Sequence, residues 1–173
     1  MSKITYEGAI FDVVKTQPVI DGKTVDRDLV HMNQNAVIGA VFDLKTHKLL
    51  VTHEYRIGPQ KVTDGFVAGK IEPDEEPLQA FMRELTEETG IHPNVAISRT
   101  NPAFYTSEGF TDETITPILV IIDGYTVTAT HFDKDESVNS IWVSLNDFDA
   151  SKMTGLPAQF LYQQLRALDI NSL

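Results

Sequence analysis

The stretch GKIEPDEEPLQAFMRELTEETGI, from Gly69 to Ile91, combines a strong helix signal with a concentration of glutamates. Pro77 suits the first turn of a helix, where its missing N–H leaves no hydrogen bond unmade, and Gly90 supplies a stop. Between them, apolar residues recur at helical spacing and share one face: Leu78, Phe81, Met82 and Leu85. The stretch therefore predicts a helix that begins near Pro77, ends near Gly90 and turns one side to the core.

A second face of this predicted helix is acidic, because Glu84, Glu87 and Glu88 fall within about one turn of each other. Like charges at such spacing repel and destabilise a helix. A divalent cation would relieve the repulsion, and Mg²⁺ in particular takes oxygen ligands and shares its shell with substrate phosphates. Two interpretations stay open at this point, a solvated acidic helix or a cation site.

The neighbours of these glutamates fit the cation site. Gly69 allows a sharp backbone turn, which would bring a carbonyl such as that of Ala68 near the same ions. Arg83 is itself cationic and cannot be a ligand. We expect it to hold one glutamate from behind through a forked salt bridge.

The spacing of the whole stretch resembles the box of the Nudix hydrolases, G-x5-E-x7-R-E-U-x-E-E-x-G-U, in which U is a bulky aliphatic residue. All nine defined positions match: Gly69, Glu75, Arg83, Glu84, Leu85, Glu87, Glu88, Gly90 and Ile91. The resemblance implies an α/β Nudix fold, which is an α/β/α sandwich with a mixed sheet and a loop–helix–loop box. It also implies binding of Mg²⁺ or Mn²⁺ and hydrolysis of a nucleoside diphosphate linked to another group.

Carried over residue by residue, the resemblance gives the box residues their roles. Glu84 and Glu88 would be direct metal ligands, and Glu87 a ligand or a close neighbour of one. Glu75 and Arg83 would support them.

Composition limits the class of protein. The 173 residues suit one domain and include no cysteine, which excludes disulfides and thiolate metal sites. The formal net charge of −11 argues against binding nucleic acid over a wide surface. The first residues lack the features of a signal peptide, and no apolar run is long enough to span a membrane. We therefore expect a cytoplasmic protein with neither a nucleic-acid nor a membrane partner.

Segments outside the box resemble the ADP-ribose pyrophosphatase and nucleotide-sugar hydrolase branch of the family. The similarity covers most of the chain, and its segments are VDRDLVHM (25–32), HEYRIGPQ (53–60), FYTSEGFTDET (104–114) and DKDESVNSIWVSL (133–145). It implies one domain over residues 1–173, in which about residues 1–35 form a β-rich segment used for homodimerisation. The implied substrate is a small nucleoside diphosphate derivative.

The same resemblance suggests residues for substrate and catalysis. Arg27 and Arg56 match arginines that contact phosphates, a role that suits the paired donors of a guanidinium group. Glu136, in the late acidic loop, is the best match to a general base, and Glu113 to a residue contacting metal or substrate. Tyr6 and Phe11 have two alternative roles: their rings could stack on a nucleobase, or they could pack in the hydrophobic core.

Two departures from the branch leave the substrate open. Gly65 and Val67 stand where the branch has glutamate and proline, and Glu108 replaces a proline that marks ADP-ribose specialists. Glu108 could accept hydrogen bonds from sugar hydroxyls. The leading hypothesis is hydrolysis of ADP-ribose or a related nucleoside diphosphate sugar to a nucleoside monophosphate and a sugar phosphate. The alternatives are hydrolysis of nucleoside triphosphates or dinucleoside polyphosphates and a non-catalytic nucleotide sensor.

Overall fold

A computed structural model of the protein describes residues 2–129 and 139–168. Its strands are β1 (Lys3–Tyr6), β2 (Phe11–Thr16), β3 (Val19–Ile20), β4 (Lys23–Thr24), β5 (Arg27–Met32), β6 (Ala36–Asp43), β7 (Lys48–Arg56), β8 (Lys61–Gly65), β9 (Val67–Lys70), β10 (Ile91–Thr100), β11 (Phe104–Tyr105), β12 (Thr114–Val127) and β13 (Asn139–Ser144). Its helices are α1 (Pro77–Thr89) and α2 (Leu156–Ala167), with a 3₁₀ turn at Ala150–Lys152.

The centre of the molecule is a mixed sheet with the strand order β10-β12-β6-β7-β13. Strands β12 and β6 run parallel, from Ile115 beside Ala36 to Ile122 beside Asp43, while the neighbouring pairs are antiparallel. Both parallel strands are apolar along much of their length, as strands covered on both faces are. Helix α1 packs on one face and α2 on the other, each over its own apolar cluster. The predicted α/β/α sandwich with a mixed sheet is confirmed.

Helix α1 has the bounds that its sequence predicts. Glu76 and Gln79 form a capping box at the start, and Gly90 ends the helix in the left-handed conformation at φ 69°. The helix lies close to β6 because Gly39 has no side chain: a Cβ there would lie 2.2 Å from the ring of Phe81.

The sheet opens on one side of the β6–β7 hairpin. Strands β6 and β7 are paired beside their connecting turn, at Phe42–Leu49 and Asp43–Lys48. Farther along, β9 lies beside β6 and β8 lies beside β7. The chain reverses direction between β8 and β9 at Phe66, so these strands form the two arms of a V. The opening of this V faces the first residues of α2 and the acidic side of α1.

The N-terminal segment forms a sheet of its own, with the order β1-β2-β5. The short β3–β4 hairpin turns at Asp21 and Gly22, both with positive φ, as an Asp-Gly pair predicts. Strand β5 is joined to the loop after β11: the Val30 N–H donates to the Phe110 carbonyl at 2.7 Å, and the Asp112 N–H donates to the Val30 carbonyl at 3.2 Å.

One local expectation was wrong. Gly69 does not turn the chain; it lies inside β9, and its φ is not positive. In the part of the chain that the structure describes, neither helix has the length and apolarity needed to cross a membrane.

Candidate active site

A cavity of about 820 Å³ occupies the opening between β8 and β9. Its wall combines the acidic face of α1, the strands of the V and the start of α2. Among the residues that the structure describes, seven acidic side chains line it and three basic ones, Arg56, Lys70 and Arg83. The cavity is therefore strongly electronegative, and an anionic ligand would enter it only together with cations.

Glu84 and Glu88 are placed in the cavity wall by the packing of α1 against β9. Glu88 is buried, with 7% of its surface exposed. The side chain of Glu84 presses on the backbone of Gly69, where a Cβ would lie 2.0 Å from the Glu84 carboxyl carbon. The glycine is therefore required for this close approach rather than for a turn.

Arg83 links the parts of this site to one another. Its Nε and Nη2 form a fork with the two carboxylate oxygens of Glu75, each at 3.0 Å. Its Nη1 lies 2.8 Å from an oxygen of Glu84 and 3.1 Å from an oxygen of Glu87. Its Nη2 also donates to the Lys70 carbonyl at 3.0 Å, which ties α1 to the end of β9. The expected fork is present, and the same guanidinium group holds two further glutamates.

The charges of this network reinforce one another. Hydrogen bonding to Glu75, followed by the effects of Glu84 and Glu87, raises the pKa of Arg83 above its usual range even though burial lowers it. Hydrogen bonds from Arg83 and from the Glu72 N–H lower the pKa of Glu75. Both shifts in pKa favour the charged forms of the two side chains.

Divalent cations suit the donors of this site. Within residues 2–129 and 139–168, no three histidine, aspartate or glutamate side chains are arranged as a metal site, and Arg83 Nη1 contacts the carboxylates of both Glu84 and Glu87. The donor atoms are nevertheless the carboxylate oxygens that Mg²⁺ prefers, and the surplus of acids over bases in the cavity wall favours a cation. Ala68, whose carbonyl the sequence suggests as a further ligand, also lines the cavity.

Two other residues suggested by the sequence line the same cavity. Arg56 lies at the end of β7, and its guanidinium group is 2.8 Å from the carboxylate of Glu54. Glu113 follows the loop after β11, and its carboxylate accepts a hydrogen bond from Thr106 at 2.6 Å. A basic and an acidic group therefore face the ligand space from outside the box.

The remaining suggested residues are placed elsewhere or are not described. Arg27, Tyr6, Phe11 and Glu108 are exposed and are not among the described residues that line the cavity. Tyr6 and Phe11 contact each other on the N-terminal sheet, with ring centroids 5.8 Å apart. Both side chains are exposed, which does not match packing in the core, and stacking on a nucleobase stays a prediction. Glu136 lies outside the described residues.

Two histidine–aspartate pairs were not foreseen from the sequence. His53 and Asp64 face each other across β7 and β8, with Nδ1 and Oδ1 2.7 Å apart, and Asp64 lines the cavity. His31 and Asp112 join the N-terminal sheet to the loop that precedes Glu113. All four lie in or beside segments that resemble the nucleotide-sugar branch, but which histidine meets which aspartate depends on how the strands and the loop after β11 are arranged in the fold.

Comparison with known proteins agrees with this geometry. The sequence model of the NUDIX domain family matches residues 32–164. The chain belongs to the NUDIX domain family. It is 31% identical over 143 residues to the ADP-ribose pyrophosphatase of Bacillus subtilis (strain 168), covering 82% of this chain and 75% of that protein. Its enzyme type is therefore that of a Nudix pyrophosphatase, a hydrolase acting on phosphorus anhydrides.

Two further proteins are similar to this chain. The methanol dehydrogenase activator of Bacillus methanolicus is 32% identical over 130 residues, which cover 73% of this chain and 66% of that protein. A solved structure described as an ADP compounds hydrolase superposes with a TM-score of 0.70 at 18% identity, covering 95% of this chain and 91% of that one. The structural match supports the Nudix fold.

Proposed function

We propose that this Nudix pyrophosphatase hydrolyses the diphosphate linkage of ADP-ribose or a related nucleoside diphosphate sugar, with Mg²⁺ or Mn²⁺ as cofactor. The products would be a nucleoside monophosphate and a sugar phosphate. The proposal is supported by the 31% identical relative named ADP-ribose pyrophosphatase. Homodimerisation through the N-terminal sheet belongs to the same proposal.

The charge of the cavity is the observation that carries this function. Seven acidic and three basic side chains would repel a diphosphate that entered alone. The same wall becomes favourable when the diphosphate arrives with divalent cations, whose charge reverses the local field. A volume of about 820 Å³ falls within the range of pockets that hold small ligands.

Some residues of the box would bind the cation, and Arg83 would orient the side chains that bind it. Glu84, Glu87 and Glu88, with the Ala68 carbonyl, would hold the cation. A bound cation supplies positive charge to the diphosphate oxygens and promotes attack of water on phosphorus. Arg83 would keep Glu84 and Glu87 oriented by its contacts at 2.8 and 3.1 Å.

Residues outside the box would contact the substrate and the attacking water. Arg56 would donate to phosphate oxygens after exchanging its contact with Glu54. Glu113 would face the substrate or the cation, and Glu136 would be the general base. Arg27, Tyr6, Phe11 and Glu108 do not line the cavity of their own chain, so any contact of theirs with substrate would require another subunit or a movement of the chain.

Product analysis tests the proposed function. The pure protein is incubated with Mg²⁺ and, in parallel, with ADP-ribose, other ADP-, GDP- and UDP-sugars, ATP and a dinucleoside tetraphosphate. We expect ADP-ribose to yield AMP and ribose 5-phosphate, and EDTA to stop the reaction. Cleavage of ATP or the dinucleoside tetraphosphate without cleavage of any diphosphate sugar would contradict the assignment of substrate class.

A further inference from the structure

The His53–Asp64 pair stands out because it is built into the cavity wall but lies outside the box. Strands β7 and β8 place the two residues directly opposite each other. The side chain of Asp64 is only 12% exposed, and that of His53 is 28% exposed. The cavity wall around Asp64 includes its neighbours Thr63 and Gly65. Gly65 has no side chain, and Asp64 is the acidic residue of β8 in the cavity wall.

The hydrogen bonding of Asp64 leaves it able to receive a ligand. Its Oδ1 accepts from His53 Nδ1 at 2.7 Å, and within the described residues its carboxylate accepts no other hydrogen bond. A carboxylate offers about four acceptor positions and no donor when it is ionised. A nearly buried carboxylate in a cavity wall favours a ligand that brings hydrogen-bond donors. It disfavours a ligand that brings a further phosphate.

Sugar hydroxyls are the donors that fit this requirement in a nucleoside diphosphate sugar. Each ribose carries two adjacent hydroxyl groups, and carboxylates are used elsewhere to bind such groups. A triphosphate would instead add negative charge to the cavity.

We propose that Asp64, held in place by His53, recognises hydroxyl groups of a sugar attached to the diphosphate. The inference rests on the proposed function for its substrate class. Asp64 contacts the ligand, and His53 acts as a positioning residue through Asp64. Either the ribose of the nucleoside or the distal sugar can supply the hydroxyls.

Equilibrium binding to the unmodified chain and its variants tests this inference without turnover. Three non-hydrolysable probes are measured calorimetrically with Mg²⁺: α,β-methylene ADP-ribose, the same molecule lacking the 2′-hydroxyl of adenosine, and the ethyl ester of α,β-methylene ADP, which lacks the distal ribose. We expect Asp64→Asn to weaken binding of the complete probe about ten-fold. For the probe that lacks the recognised hydroxyls, the loss should be below about two-fold, which identifies the sugar.

Variants of His53 show whether this residue orients Asp64 or only contributes to the stability of the fold. His53→Leu should weaken the complete probe as Asp64→Asn does, whereas His53→Asn should retain binding because its amide can donate to Asp64. Asp123→Asn, a change at an exposed ion pair with Lys45, should bind all three probes like the unmodified chain. Thermal melts check that each variant is folded.

Two results would overturn the inference: unchanged binding in Asp64→Asn, or equal weakening for all three probes. Hydrolysis of ADP-ribose is measured separately with the unmodified chain. Intact hydroxyl-dependent binding without any hydrolysis would contradict the proposed function and leave the recognition role of Asp64 standing.

Discussion

At the level of single residues, the absence of a side chain at Gly69 leaves room for Glu84 on the acidic face of α1. A Cβ at this position would meet the end of the Glu84 side chain at 2.0 to 2.3 Å. Such an end can move, so the fold tolerates the substitution, but Glu84 must leave its place beside Arg83. The effect should therefore fall on catalysis more than on stability.

We accordingly predict that Gly69→Ala lowers kcat/KM by about 10- to 100-fold, as loss of a supporting contact in a metal site does, while the melting temperature changes little. Gly58→Ala is the matched control, since a Cβ at Gly58 meets nothing within 4 Å. Unchanged turnover of Gly69→Ala would mean that the position of Glu84 is unimportant for the chemistry.

The role of Arg83 can be tested with a substitution that keeps the positive charge but cannot form the forked hydrogen bonds of the guanidinium group. Lysine cannot reproduce a fork to Glu75 together with contacts to Glu84, Glu87 and the Lys70 carbonyl. We expect Arg83→Lys to lose about 10- to 100-fold in kcat, with a higher Mg²⁺ concentration needed for half-maximal rate. Arg166→Lys, in the last turn of α2, is the control. If Arg83→Lys keeps its rate at every Mg²⁺ concentration, charge alone suffices at this position.

At the scale of elements, the contact between β5 and the loop before Glu113 depends on pH. Hydrogen bonding to Asp112, and more weakly the charge of Asp12, raises the pKa of His31 above its ordinary 6.5. Burial raises the pKa of Asp112, but its hydrogen bonds with His31 and with the Met32 N–H outweigh that effect and lower it below 3.8. The pair stabilises the fold fully between those ordinary values. Its contribution is lost as pH rises through the raised pKa of His31.

We predict that the stability difference between the unmodified chain and His31→Gln is larger at pH 5.5 than at pH 9. Both side chains are more than one third exposed, so solvent screening keeps the change below about 1 kcal/mol. Denaturant unfolding at the two pH values measures it. A difference that is the same at both values would show that the charge of His31 contributes nothing.

The sequence predicts α1 well because its signals are local. The start at Pro77, the stop at Gly90 and the separation of apolar and acidic faces all follow from spacing within 23 residues. The contacts of His53 with Asp64 and of His31 with Asp112 could not be predicted in this way. The first depends on the register of β7 and β8, and the second joins a strand to a loop 81 residues later in the chain.

At the scale of the whole molecule, the N-terminal sheet leaves apolar residues exposed. Those on its strands and the adjoining hairpin are Ile4, Tyr6, Val19 and Ile20, each at least 45% exposed. Such a surface is typical of an interaction site. The sequence suggests Arg27 as a phosphate contact from a motif, and a motif carries no information on which sheet its strand joins.

We expect the protein to sediment as a homodimer and Ile4→Lys to shift it to the monomer, because the substitution places a charge in the proposed apolar contact. Ile57→Lys, at a residue 85% exposed in the β7–β8 turn, is the control and should leave the dimer intact. Sedimentation velocity distinguishes the two states. A monomeric unmodified chain would exclude the N-terminal sheet as a dimer contact.

We propose that the acidic face of α1 performs the hydrolysis, and the variant Glu88→Gln is the sharpest test of this role. The change keeps the size of this buried side chain and removes its charge. In Mg²⁺, with ADP-ribose as substrate and AMP measured as product, we predict a loss of kcat of about 100-fold or more with the fold intact by circular dichroism. Near-normal AMP production by Glu88→Gln, beside an Asp123→Asn control, would contradict the account.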